Sequence, residues 1–86
     1  MSDTTLLALQ RRQVECAVIR LQRLAYRVEN IEYGTGAEHP RVLVVPTQFT
    51  TTVLLGDLVE VSGPNGDPCR VGEVRLCNCR VQWRLN

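Results

Sequence analysis

From Leu6 to Ala25 the apolar side chains return every three or four residues, and this repeat constrains the fold more than any other feature. At 100° per residue, Leu6, Leu7, Val14, Ala17, Val18, Leu21, Leu24 and Ala25 fall on one face. Asp3, Thr4 and Thr5 offer N-cap oxygens just ahead of it. The pattern predicts an amphipathic helix over residues 4–25. Its opposite face carries Arg12, Cys16, Arg20 and Arg23, with Arg27 joining them if the helix runs on. Leu9, Ile19 and Tyr26 also lie off the core side.

The period then changes. "YRVENIEY" reads as a strand over 26–33, Gly34 and Gly36 give the backbone freedom for a reversal, and "RVLVV" reads as a strand over 41–45. Pro40 holds His39 out of helical geometry and Pro46 closes the second strand, so the pair makes a hairpin. Residues 58–62 form another strand; the pattern leaves 47–57 open between strand and loop. "GPNGDP", Gly63 to Pro68, is a turn. Residues 70–76 and 79–85 alternate well, but the inward parity shifts across Cys77-Asn78-Cys79, which calls for a bulge or a tight turn there. The expected fold is a single two-layer α+β domain over residues 1–86. In it one long helix packs on an antiparallel sheet of about four strands.

Eighty-six residues leave room for one modest core, about 60–65% of the unfolded surface being buried at this size. Binding surfaces are easier to build on such a scaffold than deep catalytic clefts. A hydrophobic content of 44% and a charged content of 22% fit a globular chain. The net charge of +1 does not favour general nucleic-acid binding. All ten basic side chains are arginine, which suits planar bidentate recognition and equally suits a GC-rich coding sequence. "MSDTTLLALQRRQ" has no signal-peptide pattern, and no run approaches the roughly 18 apolar residues of a membrane span. A cytoplasmic protein with mostly reduced cysteines is expected.

Cys77 and Cys79 would project to one side of a strand. With Cys69 they make C-x7-C-x-C, and His39 or Cys16 is a conceivable fourth ligand, but the paired knuckles of structural zinc sites are missing. Cys69, Cys77 and Cys79 are therefore weak metal candidates. A Cys77–Cys79 ring would be small and strained, and a bridge from Cys69 needs an oxidising compartment. Small buried thiols are the simpler reading. Cys16 sits among arginines that favour its thiolate, yet the single histidine, His39, lies in a loop and gives no Cys/His arrangement.

No paired carboxylates, phosphate-binding loop or cofactor motif is present, so neither catalysis nor a cofactor is expected. Asp57 and Asp67 belong to turns; Trp83 and Phe49 read as core or hairpin packing. The arginines face two readings, a solvated surface balanced by Glu15, Glu29 and Glu32, or an interface. Arginine mixed with aliphatic and aromatic side chains is the composition enriched at interfaces. The candidate partner-binding residues are Arg12, Cys16, Ile19, Arg20, Arg23 and Arg27.

"GDLVEVSGPNGDPCRVGEV", Gly56 to Val74, resembles the strand-turn-strand unit of SH3-like barrels, including the ribosome- and RNA-associated KOW modules. That resemblance implies a small nucleic-acid-binding module as one function. The order of parts across the whole chain is a leucine-rich helix, a hairpin with "HPRVLVVP" and a terminal "CRVQW". It resembles short proteins encoded by phages and prophages of GC-rich bacteria. This implies a non-enzymatic protein that binds or inhibits a host factor in the host cytoplasm, or self-associates as a homodimer, with no membrane involved.

Overall fold

The first helix stops where a buried tyrosine turns the chain. In the computed structural model, which describes residues 3–34, 39–63 and 65–85, α1 runs from Asp3 to Arg23. Ala25 adopts φ 65°, its N–H donates to Gln22 O at 2.9 Å, and the Tyr26 N–H donates to Leu21 O at 2.9 Å. This is a Schellman ending, with the hydrophobic contact between its last residue and Leu21 supplied by the core. Tyr26 was expected off the core side and is instead buried beside Leu21. Ending α1 two residues early also corrects its apolar face. Leu7, Leu24 and Ala25 are exposed, and the buried stripe is Gln10, Val14, Ala17 and Leu21. The side chains of Asp3 and Thr4, expected as caps, lie outside the described residues, as do Gly36 in the first reversal and Pro64 in the second.

Among the described residues five strands follow: β1 (Val28–Glu32), β2 (Arg41–Val44), β3 (Asp57–Ser62), β4 (Pro68–Leu76) and β5 (Cys79–Arg84). They form one sheet in the order β1-β2-β5-β4-β3. β1–β2, β3–β4 and β4–β5 are antiparallel, but β2 and β5 run parallel. The α+β class stands, with a mixed sheet of five strands where an antiparallel one of about four was expected. The parallel pair arises because β5 returns from the β3–β4 meander to the centre of the sheet. Nothing in the local sequence of either strand encodes that placement.

Residues 47–57 contain a short helix, α2 (Thr50–Leu54), ended by Leu55 at φ 53°. The parity shift in the last segment is resolved by a two-residue turn. Cys77 and Asn78 have φ 52° and 60°, the paired positive values of a type I′ hairpin, so Leu76 and Cys79 face each other on the same side.

Val14, Ala17, Leu21 and Tyr26 close over Val42, Val44, Cys79, Val81 and Trp83. α1 thus lies on β1, β2 and β5, and β3 with the far end of β4 extends beyond it. Trp83 joins the two parts. Its indole covers Gly72 on β4 and reaches Gly56, and its Nε1 donates to Thr51 Oγ1 at 3.1 Å. A Cβ at either glycine would overlap the ring.

Candidate partner-binding surface

At 100° per residue, Arg12, Cys16, Ile19 and Arg23 lie within about 60° of arc on α1, with Arg20 at the margin. The structure places Arg12, Ile19, Arg20 and Arg23 in solvent, with Ile19 50% exposed. Two of the three carboxylates expected to balance them are engaged elsewhere, while Glu15 stays on α1 without an ion pair among the described residues. Glu29 accepts from Arg84 at 2.6 Å and Glu32 from Arg41 at 2.6 Å. Among the described residues, no ion pair involves Arg12, Arg20, Arg23 or Arg27.

Two members of the expected set change meaning. Arg27 lies past the Schellman turn, where its carbonyl accepts from the Val45 N–H at 2.9 Å. It is exposed but lies just ahead of β1, because the helix that would have carried it onto the stripe ends at Arg23. Cys16 is bonded to Cys77 across 61 residues, with Cα atoms 6.2 Å apart. The expectation of reduced cysteines fails for this pair, and a nucleophilic Cys16 thiolate has no place in the bonded state. The bridge ties mid-α1 to the β4–β5 turn, a pairing that only the fold reveals.

The remaining cysteines separate. Cys79 is fully buried in the core, where desolvation pushes its thiol above the ordinary range. Cys69 is exposed, against the expectation of a buried thiol. It lies eight positions along β4 from Cys77, roughly 25 Å at strand rise. The three weak metal candidates are not brought together, and no group of three or more His, Cys, Asp or Glu side chains converges among the described residues. His39 stands apart, beside Arg75.

On one side of the arginine stripe a groove of about 510 Å3 opens between α1 and the edge strand β1. Val14, Val18 and Ile19 line it from the helix, Ile31 from the strand and Tyr33 from just beyond its end, with Arg11 and Glu15 also on the lining. The sequence marks Ile19 but not the groove, because the floor comes from a strand twelve residues further on. A second apolar surface went unread. Phe49, expected to pack inward, is 61% exposed, and Val53, Leu55 and Leu58 are exposed with it. α2 is turned inside out: Thr50 is buried, its Oγ1 accepting from the Thr47 N–H at 2.7 Å, while Thr51 holds Trp83. Hydrophobicity alone points such a segment the wrong way round.

The β3–β4 hairpin that resembles SH3-like barrels is the edge of an open sheet, so the likeness ends with the hairpin. No described helix is long and apolar enough to cross a membrane. No protein-family model, curated protein or solved structure matches the chain.

Proposed function

We propose that this is a non-enzymatic protein-binding module, phage-derived, which captures and inhibits a host protein through the outer face of α1. The observation that carries the reading is the pairing of features on that face. Guanidinium groups without carboxylate partners among the described residues flank an apolar groove that Ile19 shares with Ile31 and Tyr33. A partner with an apolar anchor and flanking carboxylates complements both. Its anchor fills the groove, and each carboxylate takes a bidentate guanidinium. The arginines set approach and register, and the desolvated anchor supplies most of the affinity.

A cytoplasmic site of action belongs to this reading, and in that reducing compartment Cys16 and Cys77 would stand as two thiols. The disulfide is the observation that weighs against that placement. Self-association is a second reading, favoured by the 84% exposure of Leu55 next to the edge strand β3. A monomer by light scattering removes it.

The test is capture from a bacterial lysate by the wild-type chain and by Arg20→Glu/Arg23→Glu, with circular dichroism confirming that both are folded. A species retained by the wild type and lost from the variant supports the assignment. Equal capture by both sinks it. Retention on heparin or DNA that persists at high salt would favour the nucleic-acid alternative, since phosphate contacts set the steepness of salt elution.

A further inference from the structure

The sheet face turned away from α1 carries a row of arginines that the helix reading does not use. Val42, Val81, Val74 and Leu76 pack toward the core, so the alternating residues Arg41, Arg80 and Arg75 project from the other side. Register places them abreast on three adjacent strands: Arg41 pairs with Arg80 across β2–β5, and Arg80 with Arg75 across β5–β4. At about 4.8 Å between strands the row spans roughly 10 Å.

The row is unevenly neutralised. Arg41, at one end, holds Glu32 at 2.6 Å and donates to Gln82 Oε1 at 3.4 Å. Glu73, two residues from Arg75 and so on the same face, is engaged by the Gln82 amide at 2.8 Å. Arg80 and Arg75 have no carboxylate among the described residues. They converge instead on His39. Arg75 Nη1 lies 3.4 Å from its Nε2, and Arg80 Nη2 donates to its carbonyl at 3.5 Å. The Nε of Arg80 is buried with no acceptor among the described residues. Like charges directly opposite on neighbouring strands destabilise a sheet, and a buried donor without an acceptor adds to that cost.

We infer that Arg75, Arg80 and His39 form a binding site for a phosphate dianion. One carboxylate is satisfied by one guanidinium, as Glu32 is by Arg41. Two adjacent guanidiniums without a carboxylate among the described residues, plus an imidazole, match the double charge and the several acceptor oxygens of phosphate. The occupant is free phosphate or the terminal group of a phosphomonoester; the site sits at one end of the sheet, where either has access from solvent.

The test is an NMR titration with inorganic phosphate at constant ionic strength set by chloride, following the arginine Nε–H and His39 ring signals. A parallel titration with glycerol phosphate shows which source binds more tightly. The expected result is a saturable 1:1 shift confined to Arg75, Arg80 and His39, weakened about tenfold or more in Arg75→Gln. Arg75 is exposed and serves no core contact, so that variant stays folded. Arg80→Gln should abolish the shift. Linear shifts that chloride reproduces, or unchanged binding in Arg75→Gln, would overturn the site.

Discussion

The sheet has two unequal parts, and the contrast between them shows where this small chain keeps its stability. Under α1, strands β2 and β5 bury Val42, Val44, Cys79 and Val81 completely, and the Cys16–Cys77 bond closes the far end. Beyond Trp83 the outer wing, β3 with residues 68–70 of β4, is exposed or half-buried on both faces. Its ladder is complete from Asp57–Glu73 to Ser62–Pro68, so backbone pairing is not what it lacks. It lacks a second layer. Hydrogen bonds alone contribute modestly because water competes for the same groups, and a region without apolar cover opens first.

Trp83 is a large, fully buried side chain that serves both parts, so its removal gives the largest expected effect. Trp83→Ala should cost about 3–5 kcal/mol, the usual range for a fully buried aromatic. Hydrogen exchange should show the β3 and outer β4 amides losing protection ahead of β2 and β5. Gly72→Ala sets a methyl where the indole lies and should cost about 1–3 kcal/mol with the same regional pattern. Uniform loss of protection across the sheet would mean that the wing and the covered part unfold as one unit, and the contrast drawn here would fail.

The disulfide acts on the covered part only. Closing a loop of 61 residues removes chain entropy worth about 4 kcal/mol in the simplest treatment, so Cys16→Ser/Cys77→Ser should lower stability by about 2–4 kcal/mol. For a domain of this size that amounts to a fall in Tm of roughly 10–25 °C. Urea unfolding with and without reductant measures it, and the variant should show no response to reductant. If oxidised and reduced wild type unfold at one midpoint, packing alone secures α1 and the bridge is incidental to the contrast.

What could be read in advance divides along similar lines. The helix, the hairpins and the tight turn at Cys77-Asn78 rest on local patterns: period, glycine, proline and parity. Long-range closure escaped. Nothing near Arg41 or Val81 says that β2 and β5 lie side by side, and the arginine row on the open face exists only through that register. The early end of α1 was hidden because alanine, not glycine, occupies the left-handed position. α2 misled because two threonines take the inward sites that apolar residues usually fill. The exposure of Arg12, Ile19, Arg20 and Arg23 was legible from helical period, whereas the groove beside them needed β1 in place.

The smallest effect concerns Cys79 and depends on pH. Its thiol is fully buried in the covered part, and desolvation raises its pKa above the ordinary 9.0. In the unfolded chain the thiol ionises near that ordinary value, while in the native state it keeps its proton to higher pH. Above about pH 9 the native state therefore binds more protons than the unfolded one, and stability falls as pH rises until the native thiol also ionises. Below that window the group contributes no slope. One thiol limits the fall to about 1.4 kcal/mol per pH unit. The readout is a difference: urea midpoints from pH 7 to 10 for wild type and for Cys79→Ala. The alkaline decline should be shallower in the variant, whatever its stability at neutral pH. Parallel declines would show that water reaches Cys79, and that the covered part of the sheet is less sealed than its packing implies.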